Sequence, residues 1–158
     1  PAVFALYRAR KYLDAHDKKD ISLIITGGLR VSSDFAKALA MGADAVAIGT
    51  SALLACGCQQ YRSCNVGKCP MGLTSQYPEV RARVDVQRSA EIVANFLAVS
   101  NHELTEFARL TGNDDVHKLA VSDLCTVDSE ISISSKAISL EKPPPVIPLN
   151  RIFIILPT

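Results

Sequence analysis

From Val3 to Ala15 apolar side chains return every three or four residues, and this spacing predicts a helix over 3–15. Asp17 to Asp20 is a polar turn. The period then changes. Ile21–Thr26, ISLIIT, is a short apolar run rich in β-branched residues, the pattern of a strand buried on both faces. Gly27 and Gly28 stop it. Ser32 and Ser33 are N-cap candidates, and Asp34 suits a helix N-terminus. Phe35, Ala38 and Leu39 repeat at helical spacing, and Gly42 stands where a helix would end. Ala45–Ile48, AVAI, predicts a second buried strand, closed by Gly49 and Thr50. Strand, loop, helix and strand within residues 21–50 make a βαβ unit, and the fold class implied is α/β with a parallel sheet.

Farther along, a helix is predicted from Asp85, with Val86, Ala90, Val93, Ala94 and Leu97 on one face. Ser100 to Glu103, SNHE, has the form of a capping box and predicts the start of another helix. That helix carries Leu104, Phe107 and Ala108 and ends at Gly112. Val116–Leu124 reads as one more short helical segment. After about Ser129 helical periodicity is lost. Pro143, Pro144 and Pro145 predict an extended linker, and Arg151–Leu156, RIFIIL, is an isolated edge strand or an apolar tail.

Composition narrows the function classes. With 158 residues there is enough chain for one domain with a core. A formal net charge of +1 and the lack of a basic run argue against nucleic acid or an anionic membrane as partner. The most apolar stretch, Ile152–Leu156, is too short to span a bilayer. Arg8, Arg10 and Lys11 are not followed by the apolar segment of a signal peptide. The expected compartment is therefore the cytoplasm, where thiols stay reduced. His16, His102 and His117 fall in polar surroundings and are expected at the surface.

Four of the five cysteines lie between Cys56 and Cys69, in CGCQQYRSCNVGKCP. Cys58, Cys64 and Cys69 have the spacing C-x5-C-x4-C, which lacks the paired knuckles favoured by zinc. Soft thiolates at short, irregular spacing suit an iron–sulfur cluster, and Pro70 directly after Cys69 matches the Cys-Pro ending of ferredoxin motifs. Gly57, Gly67 and Gly72 would let a loop wrap closely around inorganic sulfide, and Arg62 and Lys68 would offset cluster charge. Zinc and unliganded thiols are the other readings. Cys56 either is a fourth ligand or completes the apolar run SALLAC as a buried residue, the latter being favoured. Cys125 reads as a small buried hydrophobe. Gly27-Gly28 and Gly49-Thr50 each follow a predicted strand, where ligands of parallel α/β sheets bind. Glycine admits the close approach of an anion to backbone N–H groups, and Arg30 adds positive charge. These glycines would equally serve as plain turns.

The stretch TGGLRVSSDFAKALAMGADAVAIGTSALLACGCQQYRSCNVGKCPMGLTSQ, with EVRARVDVQRSAEIVANFL and ELTEFARLTGNDDVHKLAVSDLCT, resembles the end of the FMN-binding barrel of glutamate synthase large subunits, the archaeal type above all. The resemblance covers about residues 1–130. It implies the last two strands of a TIM (β/α)8 barrel, Ile21–Thr26 and Ala45–Ile48, followed by a cysteine-rich cluster loop at 56–72 and a helical tail. It implies that Gly27, Gly28 and Arg30 in one loop, and Gly49 and Thr50 in the next, hold the FMN phosphate. It implies that Cys58, Cys64 and Cys69 ligate a [3Fe-4S] cluster, a [4Fe-4S] form staying open because of Cys56. The implied reaction condenses ammonia, free or from glutamine, with 2-oxoglutarate and reduces the imine to L-glutamate with a hydride from FMN. The cluster would relay electrons from an NAD(P)H-linked subunit or from ferredoxin.

The chain departs from that family in three ways. It starts near the sixth barrel helix, and two strands cannot close an eight-stranded barrel; the rest of the barrel is thus an expected partner, and no catalytic residue is assigned. Ser33 stands where many members carry glycine. Residues 131–158 form a divergent, Pro-rich and irregular tail. An isolated chain is expected to show an open strand edge and to aggregate. An electron-transfer module with a cluster and no flavin, and a degenerate or zinc-binding fragment, are the competing functions.

Overall fold

The structure, a computed structural model, describes residues 2–126 and 152–154. The chain divides into two compact units, Pro1–Ala47 with Asn101–Thr158, and Ile48–Ser100. In the first, the predicted helix is α1, Ala2–Ala15, which buries Val3 and Leu6. The backbone N–H of Leu23 donates to the Asp44 carboxylate at 2.7 Å. This bond fixes the entry to β1, Ile24–Thr26. Helix α2 spans Ser32–Ala40 and buries Phe35, Ala36, Ala38 and Ala40. Strand β2, Ala45–Ala47, pairs with β1 in parallel, Ile24 opposite Ala45 and Thr26 opposite Ala47. The βαβ unit read from the pattern is therefore present, and the chain is α/β.

Its strands are shorter than expected and are not buried on both faces. Each has three residues, and residues 21–23 and Ile48 stay outside them. Ile25 is 5% exposed, whereas its neighbour Ile24 is 67% exposed. The reason is that β1 and β2 make a sheet of two strands. Helices α1 and α2 pack against them, and among the described residues nothing covers the face that carries Ile24.

The ends of α2 explain a second difference. Its N-cap is Val31, in extended backbone, rather than either serine. Asp34 reaches back from the first turn to accept the Arg30 N–H at 3.0 Å, while the Ser32 hydroxyl donates to the Glu103 carboxylate. At the other end Gly42, φ +96, closes the helix as expected. Its N–H donates to Leu39 and that of Ala43 to Ala38, the two bonds of a Schellman ending.

Two helices were expected between Asp85 and Gly112, and there is one. Helix α5 runs without a break from Val86 to Leu110. No glycine or proline interrupts this stretch, so the i to i−4 ladder absorbs Ser100 to Glu103 and no capping box forms. Ser100 is buried within the helix, and Glu103 spends its carboxylate on Ser32. Gly112, φ +78, ends the helix as predicted. The segment Val116–Leu124 is not a helix proper. Asp115 accepts the His117 N–H at 2.8 Å and opens a 3-10 turn, Val116–Lys118, followed by another at Val121–Asp123. Strand β3, Leu124–Thr126, then pairs antiparallel with β4, Ile152–Ile154. RIFIIL thus supplies a strand with a partner, within a tail expected to be irregular. The predicted proline linker lies outside the described residues.

The second unit holds α3, Thr50–Ala55, the cysteine segment, α4, Pro78–Arg81, and the first part of α5. Among the described residues of this unit, Cys69 is the one buried residue of hydrophobic type, and Leu53, Leu54, Ile92 and Leu97 are exposed. No helix among the described residues is long and apolar enough to cross a membrane.

Candidate functional site

The two glycine loops follow Thr26 and Ala47, which are opposite one another in the parallel register. Gly27 and Gly28 have φ of +108° and +76°, a region that side chains with a Cβ rarely adopt. A Cβ added at either position would meet no atom within 4 Å. Backbone geometry, rather than crowding by this chain, demands glycine there, and the space outside is open. Arg30 is exposed, and its guanidinium has no ion pair among the described residues. In the second unit Gly49 caps α3 with an ordinary negative φ, and a Cβ there would also enter open space. Thr50 begins that helix and is exposed. The loop after β1 by itself offers exposed backbone, room and one cation, Arg30, which is chemistry suited to an anionic group.

The cysteine segment places its thiols in different surroundings. Cys56 ends α3, half-buried rather than buried, and its carbonyl accepts the Ser89 hydroxyl at 3.2 Å. Cys58 is half-buried, and its sulfur accepts the Gln60 N–H at 3.4 Å. Cys64 is exposed at the start of the 3-10 turn Cys64–Val66. Cys69 is buried, 6% exposed. Burial pushes its thiol up, but the backbone N–H groups of Thr74, Met71 and Leu73 outweigh this and hold it below its ordinary value. All five cysteines are free thiols. Among the described residues no three Cys, His, Asp or Glu side chains are gathered into a metal-holding group. The fit to a thiolate-ligated cluster therefore rests on the chemistry of the donors: three free thiols in one loop, one of them, Cys58, receiving a backbone N–H bond of the kind that tunes cluster sulfur. Cys125, outside this segment, is half-buried in β3.

The turn after Cys69 is held by residues that the sequence reading passed over. The Gly72 N–H donates to the Cys69 carbonyl at 3.1 Å, and Arg83 donates through Nη1 to the Pro70 carbonyl at 3.1 Å. Gly72, φ +86, has no room for a Cβ, which would lie 2.4 Å from the Val80 oxygen. Beside this turn, Cys56, Met71, Leu73, Arg83 and Val84 border a cleft of about 180 Å³. An arginine in the polar stretch RARVD carries no local signal of such a role. The three histidines are exposed, as expected.

Comparison with known proteins gives the chain its relatives. The conserved region in glutamate synthase matches residues 1–114. A glutamate synthase large subunit-like protein of Rhizobium meliloti is 38% identical over 146 residues, 82% of this chain and 32% of that protein. The archaeal glutamate synthase [NADPH] of Methanocaldococcus jannaschii is 40% identical over 102 residues, 65% of this chain and 20% of its own. A ferredoxin-dependent glutamate synthase of Pyropia yezoensis is 37% identical over 92 residues, 58% of this chain and 6% of its own. The chain thus spans a third or less of the curated relatives described. No solved structure matches it.

Proposed function

The chain belongs to the glutamate synthase family, and we propose that it forms the closing part of that enzyme's FMN-binding barrel together with its iron–sulfur loop. The observation that carries this reading is the order of parts within the matched region. Two adjacent parallel strands each run into a glycine-containing loop, and the three-cysteine segment follows directly. The exposed Ile24 supports the barrel, because the side chains that fill a barrel interior come from several strands. In this reading residues 1–130 are barrel domain and 131–158 an appended tail.

The residues have distinct tasks. Gly27 and Gly28 let backbone N–H groups approach the flavin phosphate, Arg30 offsets its charge, and Gly49 and Thr50 supply the neighbouring loop. Cys58, Cys64 and Cys69 hold iron as thiolates, in a [3Fe-4S] centre with Cys56 left over. When bound, FMN supplies the hydride that turns 2-iminoglutarate into L-glutamate, and the cluster supplies the electrons for it. The ammonia comes from glutamine or from solution, and the 2-oxoglutarate site lies on the remainder of the barrel. The names of the relatives, one with NADPH and one with ferredoxin, give the two candidate electron donors, and the setting is cytoplasmic.

Anaerobic purification with iron, sulfide and flavin assays tests the proposal. Iron and acid-labile sulfide with a broad visible charge-transfer absorption are expected. They should be lost in Cys58→Ser, Cys64→Ser and Cys69→Ser and kept in Cys56→Ser and Cys125→Ser. FMN should bind stoichiometrically once the rest of the barrel is supplied. Iron that stays flavin-free even then would favour the electron-transfer module. A colourless protein holding zinc or nothing would overturn the cluster assignment.

A further inference from the structure

The loop after β1 joins freedom to constraint. Gly27 and Gly28 have φ of +108° and +76°, and without a Cβ they have the widest backbone freedom of any residue type. A cradle made of their N–H groups needs a frame, because ordering loose dihedrals on binding lowers affinity. At one end the frame is β1, where Thr26 is paired with Ala47. Leu29, 4% exposed, then roots the loop in the core. Beyond it packing gives no hold: Arg30 is exposed, and Val31 is exposed in extended backbone. A hydrogen bond takes over. The Arg30 N–H donates to Oδ2 of Asp34 at 3.0 Å. Asp34 is itself fixed in the first turn of α2, its own N–H donating to the Val31 carbonyl at 2.9 Å. The Ser32 hydroxyl ties that turn to Glu103 of α5.

We propose that Asp34 is a positioning residue for the anion loop. By holding the Arg30 N–H it sets the backbone from which the Arg30 guanidinium and the N–H groups of Gly27 and Gly28 meet a flavin phosphate. This role rests on the phosphate reading of the loop given above. Charge and hydrogen bond predict opposite signs. A carboxylate beside a phosphate site repels the phosphate, so on charge alone its removal would tighten FMN. Acting through the hydrogen bond, Asp34 makes FMN bind more tightly, since a loop that is in place for a smaller fraction of the time binds more weakly by that fraction. The charge of Asp34 also acts on Lys37, one turn on in α2 and 8% exposed. Asp34→Asn loses that charge and keeps an acceptor, so its difference from Asp34→Ala isolates the bond.

In the chain by itself, exchange of the Arg30 amide should quicken about tenfold in Asp34→Ala, the effect of losing one hydrogen bond to a charged group, and stay within about twofold of the wild type in Asp34→Asn. With the rest of the barrel supplied, FMN and riboflavin are titrated in parallel, riboflavin reporting the ring site without the phosphate. Asp34→Ala should raise the FMN dissociation constant about tenfold and leave that of riboflavin unchanged, and Asp34→Asn should keep the wild-type preference for FMN. Unchanged exchange of Arg30 in Asp34→Ala, tighter FMN in that variant, an equal loss of both flavins, or the same loss in Asp34→Asn would overturn the proposal. A wild-type barrel that binds riboflavin as tightly as FMN would defeat the phosphate reading, and the role of Asp34 with it. A preference for FMN that survives Asp34→Ala would overturn the role of Asp34 alone.

Discussion

Gly42→Ala probes the joint on which the βαβ unit turns. Gly42 adopts φ +96 just past the end of α2, so an alanine there pays about 1 kcal/mol for left-handed backbone. The new Cβ would also lie 2.6 Å from Cγ and 2.8 Å from Cδ of Arg10. Those atoms are not free to swing away without loss. Arg10 reaches Asp14 at 3.2 Å and Asp44 at 3.4 Å, and Asp44 is the carboxylate that also receives the Leu23 N–H before β1. Displacing a pair of partly exposed ion contacts adds about 1 kcal/mol. The sum, about 2 kcal/mol, corresponds to a fall in melting temperature of about 8 °C for a domain of this size. Calorimetry or thermal circular dichroism on Gly42→Ala, Arg10→Ala and the double variant separates the two contributions. In the Arg10→Ala background the clash with Cγ and Cδ is gone, so the cost of Gly42→Ala should drop to about 1 kcal/mol. An equal cost in both backgrounds would refute the steric part, and no cost in either would refute both.

Ile24→Thr should leave the stability of the chain within about 0.5 kcal/mol of the wild type, because the side chain is exposed. In a complete barrel the same change should cost about 2 kcal/mol; urea midpoints in the two settings check this, and equal small effects would count against a barrel interior. Gly28→Ala should raise the FMN dissociation constant of the assembled barrel about tenfold, the loss of one contact to a charged group, in a flavin fluorescence titration. An unchanged constant would remove Gly28 from the phosphate site. The His117 N–H and ring beside Asp115, opposed by weak desolvation, hold that carboxyl below its usual 3.8. A carboxyl lowered on folding stabilises the fold above its unfolded value, and the gain vanishes as pH falls through the lower folded value. Amide exchange at Val116–Lys118 should therefore quicken as pH drops below 3.8, after correction for intrinsic rates, and Asp115→Asn should flatten that dependence.

Local chemistry was legible where a residue acts within its own turn. Gly42 and Gly112 end helices because a left-handed residue must follow the last turn, and the pattern around each states it. The parallel pairing of β1 and β2 followed from the length of the connection and its helix. Ser32, Ser33 and the SNHE tetrad misled because capping is a competition. Asp34 took the backbone N–H of Arg30, the helix ladder took Ser100 to Glu103, and Glu103 was left to a serine 71 residues away. Arg83 was invisible for the same reason: its partner is the Pro70 carbonyl, and no side-chain pattern announces a bond to a backbone oxygen. The spacing of Cys58, Cys64 and Cys69 was plain, whereas their unequal surroundings, with Cys69 buried and Cys64 exposed, depend on how the segment packs.

The largest divergence between pattern and structure carries the most information. An apolar run such as ISLIIT encodes burial on two faces, and this chain provides one. Ile24 remains 67% exposed, and covering such a side chain is worth about 2 kcal/mol. In the second unit Leu53, Leu54, Ile92 and Leu97 are likewise uncovered. Hydrophobic patterning records the surroundings for which a sequence is suited, because burial is a non-local property that selection reads only in the assembled fold. An interior pattern on an exterior surface therefore argues for a missing neighbour. For β1 such a neighbour would face the side opposite α1 and α2, which is where the proposed barrel has its interior. On the proposed reading, that exposed face of β1 is where the other strands of the barrel would join the chain.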